Sequence, residues 1–361
     1  MAALRVALVC PYSWSVPGGV QAQVRGLSRA LRARGNEVEI LAPADGPVAE
    51  DGFLALGRTI PFRDNGAITR VALSPAALVR TVRAVRTRGY DLVHLHEPML
   101  PHVCLGALQS ARVPVVGTFH MLNVSERWYR LFGPVVRQAA RRLRARIAVS
   151  EAAREFVSRF LPGDYWLIPN GIDASECTRA ATGERGRLLF VGRPEPRKGL
   201  PVLLEAFGRL PGDAELDLVG VARSDVTRLA NGLPAPARKR VHAHGRVPEA
   251  TRRELLSRAD VVCAPSLSGE SFGLVVLEGM AAGVPVVASA IRGYRDVLPA
   301  EAGMLVPPGD AVALAGALRR LLADGELRRR LGHAGRRAAS RYDWSVVAEE
   351  ILAVYDEALH P

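Results

Sequence analysis

From Val261 to Ala288 the chain reads Val261-Val262-Cys263-Ala264-Pro265-Ser266-Leu267-Ser268-Gly269-Glu270-Ser271-Phe272-Gly273-Leu274-Val275-Val276-Leu277-Glu278-Gly279-Met280-Ala281-Ala282-Gly283-Val284-Pro285-Val286-Val287-Ala288. Val261–Ala264 and Val284–Ala288 are short, apolar, β-prone runs, and the stretch between them opens on glycines and continues as a helix. A strand, a turn, a helix and a second strand make a crossover unit with parallel strands. Glu270-Ser271-Phe272-Gly273 stands at the predicted helix start, where unpaired N–H groups and the positive end of the dipole offer an anion site. Gly269, Gly273 and Gly279 permit close backbone approach. Ser271 and Glu278, seven residues apart, are expected on one helical face about 10 Å apart along the axis. A phosphate at the helix start would leave Glu278 to reach hydroxyls further along and Glu270 to face the group that the phosphate carries.

The same alternation extends in both directions. Candidate strands are Arg5–Val9, Glu37–Leu41, Leu92–Leu95, Val113–Thr118, Ile147–Val149 and Trp166–Ile168, then Leu188–Val191, Glu215–Val219, Val241–Ala243, Val261–Ala264, Val284–Ala288 and Met304–Val306, with amphipathic stretches in most gaps. Two similar series of strands predict an α/β chain with two doubly wound parallel sheets rather than one. The turn cluster Pro169-Asn170-Gly171-Ile172-Asp173 marks the boundary, giving domains 1–169 and 170–341. A last helix starts near Asp343, and its apolar positions Val346, Ile351, Val354 and Tyr355 need a surface to pack on. Ligands of open α/β sheets bind beyond the carboxyl ends of the strands, so motifs placed there are expected to converge in a cleft between the two domains.

A length of 361 residues suits two or three domains, and 48% hydrophobic residues suffice for large cores. The net charge of +12 rests almost wholly on arginine and permits an anionic partner such as a nucleotide phosphate, a membrane surface or a nucleic acid. Cys10, Cys104, Cys177 and Cys263 form no CxxC pair, so neither a metal site nor a disulfide framework is signalled and a reduced, cytosolic compartment fits. The start of the chain lacks the long apolar core of a signal peptide, and no stretch reads as a membrane span.

Other motifs follow predicted strands. The first strand runs into Cys10-Pro11-Tyr12-Ser13-Trp14-Ser15-Val16-Pro17-Gly18-Gly19-Val20-Gln21, whose Gly-Gly pair opens a helix and lets a diphosphate approach, although it is not a dinucleotide-binding GxGxxG. His94-Leu95-His96-Glu97-Pro98 ends a strand. The two imidazoles have the spacing of a metal pair but no third ligand, and packing at a strand end is the simpler reading. Thr118-Phe119-His120 puts an imidazole at the expected cleft, where it can donate to a sugar hydroxyl or shuttle a proton. Gly192-Arg193-Pro194-Glu195-Pro196-Arg197-Lys198-Gly199 is a rigid cationic loop, a phosphate clamp rather than a solvated turn. No Asp-x-Asp occurs, so a divalent metal bridging a diphosphate is not signalled; Arg193, Lys198 and a helix N-terminus are left to carry that charge. Ser74-Pro75 reads as the N-cap and first residue of a helix with Leu78, Val82 and Val85 on one face and Arg80, Arg83, Arg86 and Arg88 on the other. That face is either solvated or docks to anionic lipid at about 1 kcal/mol per arginine. Arg137 to Arg146 is a second run open to both readings.

Together these segments resemble the family-4 retaining glycosyltransferases, which have the GT-B fold of two Rossmann-like doubly wound domains facing a central cleft. The resemblance rests on Gly269-Glu270-Ser271-Phe272-Gly273 with Glu278, on Ala281 to Val287, on Gly192-Arg193 with Arg197-Lys198-Gly199, and on Ile168-Pro169-Asn170-Gly171-Ile172-Asp173, and it spans nearly the whole chain. Pro11-Tyr12-Ser13, Pro17-Gly18-Gly19-Val20-Gln21, His94 to Pro98 and Tyr342-Asp343-Trp344-Ser345-Val346-Val347 are similar to the subfamily of actinobacterial phosphatidylinositol mannosyltransferases. Two features depart from it: Met121 to Glu126 differs from the small polar run expected after His120, and the Arg-Lys loop is one residue shorter.

The resemblance implies transfer of mannose from GDP-mannose to the inositol of phosphatidylinositol, with no cofactor, by a chain peripheral to the inner face of the plasma membrane. It implies that Gly19 lies against the donor diphosphate, that Arg193 and Lys198 bind its oxygens with help from backbone N–H groups of Ser271, Phe272 and Gly273, and that Val247 sits beside the base. Glu270 would contact the sugar, Glu278 the ribose, and His120 the donor sugar, while Tyr12, Gln21 and Asn65 would meet the inositol phosphate. The helix from Ser74 would dock on the membrane, and residues 342–361 would cross back to the first domain. A related transferase with another nucleotide sugar or a soluble acceptor such as inositol phosphate is the near alternative, and a nucleotide-sugar epimerase a remote one. A pure nucleic-acid binder fits the charge and explains neither glutamate.

Overall fold

The structure, a computed structural model, describes residues 3–64, 67–120, 126–177, 186–230 and 232–360. The chain divides into two compact units, Met1–Gly171 with Trp344–Pro361, and Ile172–Asp343. In the first, β1 (Arg5–Val9), β2 (Glu37–Ala42), β3 (Phe53–Ala55), β6 (Leu92–His96), β7 (Val115–Phe119), β8 (Ala145–Ala148) and β9 (Trp166–Leu167) form a parallel sheet ordered β3-β2-β1-β6-β7-β8-β9, beside an antiparallel hairpin of β4 (Ile60–Asp64) and β5 (Ala67–Val71). In the second, β10 (Arg187–Val191), β11 (Glu215–Val219), β12 (Val241–Gly245), β13 (Val261–Ala264), β14 (Val286–Ser289) and β15 (Gly303–Val306) form a parallel sheet ordered β12-β11-β10-β13-β14-β15.

All twelve expected strands are present, with ends displaced by a residue or two in most of them. β3 and the β4–β5 hairpin were not expected: three residues are too short to show a period, and Pro61, Arg63, Asp64 and Arg70 interrupt the pattern of the hairpin. The central strands are mostly apolar because helices cover both faces, and the polar residues among them, such as His94, His96, Thr118 and Asp217, are themselves buried. Alternate residues of β1 serve different cores: Ala7 and Val9 pack with Val93, Leu95 and Phe119, whereas Val6 and Leu8 pack with Leu92, Val116 and Ile147. The second face is closed by the last helix, Trp344–Leu359, through Val347, Ile351, Val354 and Tyr355. Val346, expected inward, is 38% exposed, and Val347 takes the buried position because it, and not Val346, shares a helical face with Ile351, Val354 and Tyr355.

Each sheet is built outward in both directions from its first strand. Its strand order reverses between β1 and β6 in the first unit and between β10 and β13 in the second. Loops leaving adjacent strands in opposite directions open a crevice at such a point, and the expected site motifs follow these strands.

Candidate functional site

In the second unit two loops are stitched together beyond β10 and β13. After β10 the chain passes Gly192 to Glu195, makes a single 3-10 turn over Pro196–Lys198, and enters the helix Leu200–Phe207 through Gly199. Gly199 has φ 69°, and a Cβ there would collide with the Pro265 carbonyl of the other loop, so glycine is required on both counts. The Leu267 amide donates to the Arg197 carbonyl at 2.7 Å. Side chains complete the join. Arg197 Nη1 donates to Glu270 Oε1 at 2.7 Å and to the Gly269 carbonyl at 3.2 Å, and Lys198 Nζ pairs with the same Glu270 oxygen at 2.7 Å. Glu195 pairs with Arg197 at 2.8 Å and with Arg193 at 3.0 Å. Three cations and two carboxylates therefore share a small volume, leaving one positive charge in excess. Glu270 and Lys198 are largely buried, at 14% and 17% side-chain exposure, while half of Arg193 stays open to solvent. An anionic group entering here meets preorganised charge that is already largely removed from water on the Glu270 side.

The helix carrying Glu278 is Leu274–Ala282. It begins after Ser271, which the sequence pattern placed on the helix, and leaves Glu270 just before it, as expected. Gly273 adopts φ 95° and caps it, and a Cβ there would meet the Tyr294 ring at 2.6 Å. Ser271 and Glu278 accordingly share no helical face. Glu270 sits in the loop before the helix, where the Arg197 and Lys198 cations set its position. Phe272 is buried edge-on against Tyr342, with ring centroids 5.7 Å apart, which fixes the loop from behind. Glu278, on the helix, is paired with Arg252. Burial raises its pKa while the Arg252 charge opposes the rise. Val247 is half-buried in the loop between β12 and the helix Glu249–Arg258 that carries Arg252.

In the first unit Gly19 is exposed at the first position of the helix Gly19–Arg32, directly after the β1 loop. Tyr12 is buried and forms a bridge with Val71 of β5. Gln21 points back into the β1 loop, its amide nitrogen donating to the Ser13 carbonyl at 3.1 Å and the Val16 carbonyl at 3.0 Å. Its nitrogen therefore shapes the loop, and only its oxygen is left for an acceptor. Asn65 lies outside the described residues.

Three imidazoles stack at the ends of β6 and β7. Ring centroids are 4.5 Å apart for His94 and His96 and 5.1 Å for His96 and His120. His94 bonds the Tyr355 hydroxyl through Nδ1 and Thr118 Oγ1 through Nε2, each at 2.7 Å. His120 bonds Asn170 Oδ1 through Nδ1 at 3.2 Å and His96 Nδ1 through Nε2 at 2.9 Å. An amide oxygen accepts, so His120 Nδ1 carries the proton, its Nε2 accepts, and His96 Nδ1 donates. Both His120 nitrogens are thereby engaged within the chain, and in this arrangement its ring has no free atom for a sugar. His96 Nε2 is left as a buried acceptor with no hydrogen bond. Burial lowers the pKa of all three, to about 3 for His94 and about 4 for His120. Glu97, at φ 57° and buried, takes the His120 amide on Oε1 at 2.6 Å; a non-glycine residue in this region marks a constrained strand end.

The helix Pro75–Thr87 is capped as expected, Ser74 Oγ accepting from the Ala77 amide at 3.2 Å. Its four arginines do not form one free face. Arg88 pairs with Glu39 at 2.5 Å and Arg86 donates to the Ser110 carbonyl at 3.4 Å, whereas Arg80 and Arg83 are exposed beside Val79, 65% exposed. In the second basic run Arg142 and Arg146 are spent on the Leu108 and Pro162 carbonyls. No helix among the described residues is long and apolar enough to cross a membrane.

The sequence reading missed Arg197 and Arg252 as site residues. Arg197 stands inside the cationic motif, and its signal was present. Arg252 lies in a helix with charges all round, and its partner is 26 residues away, so no local pattern announces it.

Residues 17–176 match the family described as Glycosyltransferase Family 4, and residues 178–338 match Glycosyl transferases group 1. The chain is 41% identical to a phosphatidyl-myo-inositol mannosyltransferase of Mycobacterium leprae over 98% of its own length and 96% of that protein. It is 32% identical to a D-inositol 3-phosphate glycosyltransferase of Xylanimonas cellulosilytica, covering 94% and 92% of the two chains. Among solved structures it is similar to the sucrose-phosphate synthase of Thermosynechococcus elongatus, with TM-score 0.77, 27% identity and 98% of each chain covered.

Proposed function

The chain belongs to the family-4 glycosyltransferases of the GT-B fold, and on that premise we propose that it moves mannose from GDP-mannose to the inositol ring of phosphatidylinositol at a membrane surface, with retention of configuration. The near-full-length similarity to proteins named phosphatidyl-myo-inositol mannosyltransferase carries this reading. In it, Arg193 and Lys198 hold the diphosphate, with Gly19 and the amides around Ser271, Phe272 and Gly273. Glu270, oriented by Arg197 and Lys198, contacts the sugar, Glu278 the ribose and Val247 the base. An inositol hydroxyl oxygen bonds to the anomeric carbon as the bond from that carbon to the β-phosphate oxygen breaks. GDP leaves with the electron pair, and its departing oxygen takes the hydroxyl proton on the same face. Arg193 and Lys198 stabilise the charge that develops there. Tyr12, Gln21 and Asn65 meet the inositol phosphate, and Arg80 and Arg83, with Val79 beside them on the helix, meet anionic lipid. His120 faces the donor sugar once its bond to His96 is released.

The test is incubation with labelled GDP-mannose or UDP-sugars and vesicles of phosphatidylinositol, alongside soluble inositol phosphate. The expected product is mannosylated lipid from GDP-mannose alone. A soluble product with equal rates would instead favour the inositol-phosphate reading, and sugar-nucleotide turnover without any acceptor would favour an epimerase. Flotation with anionic vesicles at moderate salt is expected to carry the protein upward. Arg80→Glu with Arg83→Glu is expected to weaken that binding by about tenfold or more, since each arginine contributes about 1 kcal/mol.

A further inference from the structure

We propose that Arg252 is a positioning residue for Glu278: it fixes one carboxylate oxygen so that the other is presented to ribose hydroxyls. This rests on the reading of Glu278 as the ribose contact. Arg252 Nε and Nη2 form a fork on Glu249, 2.9 and 2.5 Å from its two oxygens, and the remaining Nη1 donates to Glu278 Oε2. A guanidinium held at two points has no freedom left to choose the direction of its third donor. Glu278 Oε1 takes no hydrogen bond among the described residues, and the side chain keeps 20% exposure, so one oxygen is fixed and the other is available.

Charge points the same way. The charged groups acting on Glu278 are Arg252, Glu249 and Arg253 from the helix Glu249–Arg258, and Cys177, from the segment after the unit boundary, lies close enough to feel the Glu278 charge. Arg253 is already committed to Glu249 at 3.2 Å and Glu176 at 2.5 Å. Cys177, its thiol pushed up to about 12 by burial and then by the Glu278 charge, stays neutral. Arg252 is therefore the cation that offsets the burial of Glu278. A carboxylate accepts from a ribose hydroxyl through either oxygen, but a protonated carboxyl has an acceptor only where its proton is not. Removing Arg252 leaves burial and the Glu249 charge to protonate Glu278, and binding then requires a higher pH.

The test is calorimetric titration of the full chain with GDP and with 2′,3′-dideoxy-GDP between pH 5.5 and 8.5. The unaltered chain is expected to prefer GDP to the dideoxy compound by a factor nearly independent of pH, the ionisation of the terminal phosphate being common to both ligands. Arg252→Met is expected to bind GDP about ten- to a hundredfold more weakly at pH 6, the loss of a charge-assisted contact, and to recover as pH rises. Arg252→Lys, which keeps the charge without the fork, is expected to restore pH independence while remaining several-fold weaker. Where Arg252→Met does not fold, Glu249→Gln on the exposed rim carries the test, with several-fold weaker binding of GDP and unchanged binding of the dideoxy compound. GDP affinity equal to that of the unaltered chain in the Arg252 variants at every pH, or an equal loss for both ligands in Glu249→Gln, would overturn the role. Glu278→Ala, which removes the acceptor, separates this failure from that of the underlying reading: if it still prefers GDP, the ribose contact itself is wrong. If it loses the preference while the Arg252 variants do not, only the positioning role falls.

Discussion

Glu270 takes its position from two cations on a loop more than seventy residues away in sequence, Arg197 and Lys198 at 2.7 Å each. Charge of this kind, assembled in advance and half removed from water, is the commonest source of transition-state stabilisation. Lys198→Ala and Glu270→Ala are each expected to lower the transfer rate by about a hundredfold or more, measured as initial rates with saturating donor. Full rates in both variants would remove these residues from the site. The histidine stack makes a separate prediction. The folded pKa values of His94 and His120 lie below the ordinary 6.5, at about 3 and about 4. The unfolded chain therefore binds protons that the folded chain refuses. Stability is complete above pH 6.5 and falls as pH drops towards 4, by about 1.4 kcal/mol per unit for each histidine in that range. Urea unfolding at pH 7.5 and pH 5 checks this, and a His94→Asn variant is expected to flatten the dependence. A pH-independent midpoint would show that the stack is not buried and neutral.

At the scale of elements, the last helix packs by its apolar face and is anchored at its start by one aromatic side chain in a slot made of backbone. Trp344 lies against Gly26 of the helix Gly19–Arg32 and against Gly171, and a Cβ at either glycine would fall within its ring. Gln23 pins the Gly171 peptide from the same side, donating to its carbonyl at 2.9 Å and accepting from its amide at 2.8 Å. Gly26→Ala is expected to cost about 1–3 kcal/mol by overpacking, read as a lower denaturation midpoint with altered tryptophan emission. An unchanged midpoint would mean that the ring moves freely. Gly273 illustrates what a periodic pattern conceals. Apolar residues continue smoothly from Phe272 into Leu274, so the helix reads as starting earlier than it does. The left-handed φ of Gly273, set by its approach to Tyr294, ends that reading, and Tyr294 is not adjacent in sequence. The arginines of the helix Pro75–Thr87 were legible as a set. That Arg88 and Arg86 are taken by Glu39 and the Ser110 carbonyl depends on β2 and on the helix Val103–Ser110 packing beside them.

For the whole molecule, the two units have separate cores, and all four tryptophans (Trp14, Trp128, Trp166 and Trp344) belong to the first unit. Tryptophan emission therefore follows that unit, whereas circular dichroism follows both. On the proposed donor reading, GDP at about a hundred times its dissociation constant adds about 2.7 kcal/mol to whatever binds it. The dichroism midpoint is expected to rise with GDP while the tryptophan midpoint moves less. A rise confined to the tryptophan signal would place nucleotide binding on the other unit. The alternation of apolar runs and amphipathic helices by itself determined the parallel α/β architecture, because a strand covered on both faces must be mostly apolar. It also made the cationic loop after β10 and the carboxylates after β13 legible, since both motifs follow apolar strand runs; that β10 and β13 are neighbours, which sends both loops to one crevice, is a tertiary fact. Tertiary structure alone decided which cation holds which carboxylate, that Arg252 stands beside Glu278, and that His120 spends both nitrogens within the chain. Those pairings form between residues tens of positions apart, and their geometry is set by the packing of whole elements, which no local pattern encodes.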